Sequence, residues 1–205
     1  MKLHRLVGLG PVAAFVSAGA LTLFFFVLVF GNSIAQAEPA IAFPLGILWF
    51  LSAWMWVAAF AVVVFDLEWL EHPATSTTWF KVAHWMTLVA IFWPPVLGVA
   101  AVINSQLLGT LAMIVLGLTV GVSLLIHSLD AQRAGLISGP LPWLGVLSGG
   151  AFVLLALGEV GVGIVAFVGL FAGEAFYIAW AVWMGVWLSR SRQAVPMATP
   201  ALAGP

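Results

Sequence analysis

The chain has 205 residues, 64% of them hydrophobic and 6% charged, with a formal net charge of −1 and no cysteine. Soluble domains carry about 25% charged residues, so this chain cannot cover itself with polar surface and reads as a polytopic integral membrane protein. The absence of cysteine excludes disulfides, thiol catalysis and cysteine-ligated metal or iron–sulfur centres; no glycine-rich phosphate loop is present, and the expected partner is a lipid bilayer rather than nucleic acid.

A helix crosses the hydrocarbon in about 20 apolar residues. That measure gives six spans, at about 11–30, 43–65, 79–103, 107–129, 141–161 and 168–189. The expected fold is an all-α bundle of six transmembrane helices forming one domain over 1–190. The tail at 191–205, "SRQAVPMATPALAGP", has almost nothing to bury and is expected to be disordered. No internal repeat supports an inverted-repeat transporter core.

The first span follows "MKLHR" and precedes "SIAQAEPA", which resembles a secretory leader with an A-x-A site at Ala35 and Ala37. Its apolar run is about 20 residues, longer than the usual 7–15 of a leader, so it is taken as a retained helix. Five spans behind a removed leader is the alternative.

After the second span comes "FDLEWLEHPATSTTWFK". Asp66, Glu68, Glu71 and His72 are residue types that bind divalent metals. Against a metal site, Asp66 and Glu68 do not share a helical face and no H-E-x-x-H spacing exists. The competing reading is a solvated interfacial segment, with Trp69 and Leu70 in the headgroup layer.

In the third span, "IFWPPVLG" predicts a break, because Pro94 and Pro95 remove backbone donors. His84 falls near the start of this span and His127 near the end of the fourth. The two helices run antiparallel, which puts both imidazoles at similar depth. Facing each other they could ligate a b-type haem, and one alone could hold a pigment. The alternative is hydrogen bonding at the helix ends. No cofactor is required by the sequence.

The stretch from Leu141 to Ser189 suits two helices, though "GEVGVGIVAFVG" between them offers no obvious turn. On the fifth helix, Gly145, Ser148, Gly149, Phe152, Ala156 and Glu159 form one stripe of mainly small residues, the kind that lets membrane helices approach closely. On the sixth, Glu174, Ile178, Ala181 and Gly185 share a face with Tyr177 at its edge, while Trp180, Trp183 and Trp187 point the other way, toward lipid. Glu174 is expected about one turn inside the outer end of its helix, near Glu159. Two close carboxylates cannot both ionise cheaply, so Glu159 and Glu174, with Tyr177, form a candidate proton or cation site. The competing reading has Glu174 stabilising its own helix N-terminus and Glu159 reaching interfacial water. Of the other tryptophans, Trp49, Trp69, Trp79 and Trp143 suit the interfacial belt, and Trp54, Trp56 and Trp93 sit deeper.

With six spans, Lys2, Arg5, Lys81, Arg133, Arg190 and Arg192 all fall on the side of the two termini, and the other side has no basic residue. The positive-inside rule then predicts cytoplasmic termini in an inner (plasma) membrane.

From His127 the chain reads "HSLDAQRAGLISGPLPWLGVLSGGAFVLLALG" and closes with "WAVWMGVWLSR". A basic loop, then Ser138, Gly139, Leu141, Pro142, Leu144 and Gly145, then a Gly-rich and a Trp-rich helix, resembles a family of uncharacterised six-helix bacterial membrane proteins defined as a domain of unknown function. The resemblance covers about residues 127–190. It implies six spans and carries no catalytic residue; the arginine expected in the middle helices of that family is absent.

Three functions follow as expectations. The first is a structural or accessory subunit that packs against a protein partner or another copy through its small-residue faces. The second is a small transporter or channel for a proton, cation or lipophilic solute, using Glu159 and Glu174. The third is a haem- or pigment-binding electron-transfer subunit using His84 and His127. No nucleophile–base arrangement points to an enzyme.

Overall fold

The computed structural model describes residues 9–70, 78–103, 105–161 and 163–193. Among them are seven α-helices and one short 3₁₀ turn. Helix α1 covers Gly10–Ala37, α2 Ala42–Leu70, α3 Thr78–Ala90, α4 Trp93–Val102, α5 Gln106–Arg133, α6 Leu141–Gly158 and α7 Gly163–Gln193. Taken with α3 and α4 as one interrupted span, six segments are long and apolar enough to cross a membrane. The expected tail lies outside the described residues beyond Gln193, as do Glu71 and His72.

The interruption between α3 and α4 is where the prolines predict it. The amide of Phe92 bonds back to the Val89 carbonyl in a tight turn at 3.1 Å. Pro94 and Pro95 then occupy the first turn of α4, where a missing amide costs little.

The junction before the last helix corrects the expected boundary. α6 stops at Gly158 and α7 begins at Gly163 rather than near 168. The turn is made by amide bonds from Val160 to Leu157 and from Gly161 to Gly158, at 3.2 and 3.1 Å. Gly161 has φ +149°, a conformation open to glycine and strained for other residues. The turn signal was therefore a single glycine among several.

The helices form a ring. α1 packs on α2 and α7, α6 on α7 and α5, and α5 on α3 and α4. The ring closes thinly, because α2 touches α3, α4 and α5 only sparsely. Small residues permit the close crossings. A Cβ on Gly149 would lie 2.6 Å from the Gly121 carbonyl oxygen, and one on Gly121 would lie 2.7 Å from that of Gly149. Between α6 and α7, a Cβ on Gly158 would meet the Ala166 amide at 2.1 Å, and one on Gly169 the Leu155 amide at 2.4 Å. The small-residue stripe of α6 is thus spent inside the chain: Gly145, Ser148, Gly149, Phe152 and Ala156 are all buried.

The opposite faces are apolar and exposed, as in Phe43, Trp79, Phe92, Leu107 and Ile164. In water such a surface would be a liability; in a bilayer it is solvated by acyl chains.

Candidate functional site

Two groups of polar side chains lie inside the bundle, and neither matches the expected pairings.

The first surrounds Glu174. Since α7 starts at Gly163, Glu174 sits about three turns inside it and near the middle of the span. That corrects the expected position of one turn, and it removes the capping role, because the first-turn amides of α7 are well away. Glu174 is 9% exposed. Glu174 lines a cavity of about 20 Å³ in the ring interior, with Leu21, Phe24, Phe25, Trp56, Met113, Leu116, Gly117, Phe152, Leu155 and Leu170. That volume holds about one water molecule.

Glu159 is elsewhere. It caps the C-terminus of α6 and lines a separate cleft with Gly158, Gly161, Gly163 and Phe167. Because Gly158 packs on Ala166 and Gly173 on Phe152, α7 runs antiparallel to α6 with Glu159 near residue 165. Nine residues of helix, about 13 Å at 1.5 Å per residue, separate that level from Glu174. The structure does not bring the two carboxyls together. Tyr177 is also committed elsewhere: fully buried, it forms a hydrogen bond with Ser17. Ser17 donates to the Trp56 carbonyl at 3.2 Å, so its oxygen accepts from the Tyr177 hydroxyl. This chain ties α7, α1 and α2 together one turn from Glu174.

The second group lies toward the end of the bundle where α2 finishes and α3 starts. Glu68 was expected in a loop, but α2 continues to Leu70 and carries Glu68 on its inner side. His84 Nδ1 lies 2.8 Å from one carboxylate oxygen and 3.0 Å from the other, and the second oxygen is also 3.0 Å from His127 Nε2. His127 is 1% exposed. Its Nδ1 lies 2.8 Å from the Ser123 carbonyl oxygen. The Ser123 hydroxyl continues the chain to Thr87 at 2.5 Å, and Thr87 donates to the Ala83 carbonyl. Phe80 packs on His127 and Phe65 on His84, with ring centroids 5.6 and 5.3 Å apart.

So His84 and His127 do lie at one depth, but a carboxylate stands between them. Both nitrogens of His127 are engaged, which leaves it none for an axial iron, and the pair does not fit a bis-histidine haem. Of the expected metal set, Glu71 and His72 lie outside the described residues, and Asp66 and Glu68 point different ways. Asp66 points to α1, where a Cβ on Gly10 would lie 2.0 Å from its Oδ2, while Glu68 points to α3 and α5. Among the described residues no three histidine or acidic side chains form a metal-coordinating group. The signal that could have found the cluster is a glutamate near the end of one span with histidines at equal depth on two neighbours.

The tryptophan expectation needs one correction. Trp183 is 47% exposed, but Trp180 is 1% exposed. α7 is sandwiched between α6 and α1, so two of its faces are covered, and Trp180 packs against Gly145, where a Cβ would lie 2.9 Å from its Nε1.

The fold and the inward-turned polar groups define the class: a multi-pass α-helical membrane protein. Beyond that class, no family model, no curated protein and no solved structure matches the chain.

Proposed function

We propose that the protein is a small transporter or channel that binds a proton or a small monovalent cation at Glu174. The observation that carries the reading is a nearly buried glutamate at mid-span, lining the interior cavity of a helix ring, with no basic partner among the described residues. Placing an acidic group there costs about 2.5–3.5 kcal/mol on insertion scales, so such residues usually mark ion or proton paths. The size of the cavity argues against a lipophilic solute. The small-residue stripes that favoured a partner subunit are occupied by packing within the chain.

The test is flux in reconstituted vesicles loaded with a pH-sensitive or cation-sensitive dye. Glu174→Gln keeps the shape and removes the charge. Loss of flux in this variant, with the fold intact, is the expected result; unchanged flux would refute the assignment.

The proposal includes an inner-membrane location with both termini cytoplasmic, supported by the one-sided placement of the basic residues. Because the chain has no cysteine, single variants such as Ser138→Cys and Val160→Cys can be labelled without background. In intact cells, an impermeant maleimide should reach the second and not the first; the reverse pattern would invert the topology.

A further inference from the structure

The Glu68–His127 contact requires a proton that neither residue supplies from its unprotonated form. His127 Nδ1 faces the Ser123 carbonyl at 2.8 Å. A carbonyl only accepts, and the Ser123 hydroxyl, 3.3 Å from Nδ1, gives its hydrogen to Thr87, whose own goes to the Ala83 carbonyl, so Nδ1 carries a hydrogen. In a neutral imidazole the other nitrogen, Nε2, is then a bare acceptor. Yet Nε2 lies 3.0 Å from Glu68 Oε1, and an ionised carboxylate is also acceptor-only. Two acceptors at that spacing, with the ring 1% exposed, repel without a donor hydrogen between them. The contact holds when one proton sits between Oε1 and Nε2, as imidazolium with carboxylate or as imidazole with carboxylic acid.

We infer that Glu68 and His127 form a binding site for a single shared proton, and that its occupancy latches α2 to α3 and α5. The position makes the proton consequential. α2 otherwise meets α3 and α5 only sparsely, so this carboxylate ties the thinnest seam of the ring. Glu68 also accepts from His84 Nδ1, at 2.8 Å through Oε2 and 3.0 Å through Oε1. His84 has a side chain 37% exposed, so the cluster reaches the outer surface of the bundle. Other charged groups do not substitute for it. On α2, Asp66 faces Gly10 of α1. On α3, Lys81 is exposed. On α5, Asp130 is paired with Arg133 at 3.3 Å. The site is separate from Glu174, and the inference stands whether or not Glu174 carries an ion.

Removal of the proton should part the helices. The chain has no cysteine, so spin labels at Leu70→Cys and Trp79→Cys report the α2–α3 distance in the full-length protein in lipid. On titration from mildly acidic to alkaline buffer, the distance in the otherwise native chain should lengthen. In Glu68→Gln the side-chain amide can donate to Nε2 of a neutral His127, so the contact survives with no proton to lose and the distance should stay short throughout. His84→Gln, which leaves the shared proton in place, should retain the lengthening. A constant distance in the native background, or an equal lengthening in Glu68→Gln, would overturn the inference. Should Glu68→Gln fail to fold, nitrogen-15 and carbon-13 spectra of the native chain decide it: a bare His127 Nε2 beside an ionised Glu68 carboxyl at every pH refutes the shared proton.

Discussion

Gly121 of α5 and Gly149 of α6 face each other so closely that neither can carry a side chain. A Cβ on either would come within 2.7 Å of the other's carbonyl oxygen. Such an approach maximises dispersion between two backbones where no hydrophobic effect is available, because lipid is as apolar as the helices. Gly149→Val should therefore separate α5 from α6 at a cost of about 1–3 kcal/mol, the usual range for overpacking. The adjacent Gly150 is an internal control, since a Cβ there meets nothing within 4 Å. Gly150→Ala should leave stability unchanged or raise it by about 0.5–1 kcal/mol through helix propensity. Thermal unfolding in one detergent compares the two, and equal effects would contradict the close crossing.

The Ser17–Tyr177 bond is asymmetric in its consequences. Tyr177→Phe removes one hydroxyl and leaves Ser17 still donating to the Trp56 carbonyl, a loss of about 0.5–1.5 kcal/mol. Ser17→Ala strands the fully buried Tyr177 hydroxyl, which costs about 1–3 kcal/mol. Unfolding measurements should rank Ser17→Ala as the more damaging change; the opposite order would mean that Tyr177 has another partner.

Glu174 should trade stability for function. Glu174→Leu removes a polar group from mid-span and is expected to raise resistance to unfolding by about 2 kcal/mol, in line with the insertion cost of such a residue. The same variant should lose flux completely. A destabilised Glu174→Leu would show that the carboxyl has a structural partner and that the ion-binding reading is mistaken.

The Glu68 cluster should be harder to break than to erase. His127→Ala leaves a carboxylate only 13% exposed with His84 as its remaining partner, and the melting temperature should drop. The double change Glu68→Leu with His127→Leu removes both polar groups, and buried ion pairs replaced by apolar residues are often neutral or stabilising. The double variant should melt above His127→Ala. A double variant that melts lower would mean the cluster contributes net stability, beyond the cost of leaving one member unpaired.

Hydropathy alone determined the number of spans, and helical periodicity alone turned Glu174 away from Trp183 and toward Ala181 and Gly185. Both are local properties: a segment's transfer energy and the face it presents depend on its own residues. The proline break between α3 and α4 was legible for the same reason, since a missing amide acts where it stands. The depth of Glu174 was not legible, because the start of α7 depends on which of several glycines makes the turn, and only Gly161 adopts φ +149°. The same shift separates Glu159 from Glu174. Nor could the sequence assign Glu68 to its histidines, one 16 and the other 59 positions away. That meeting needs α2 to run a turn beyond its apolar stretch and needs α3 and α5 to stand beside it. Which helices are neighbours is decided by the fit of small-residue stripes across the whole ring, a property of the assembled bundle rather than of any one segment.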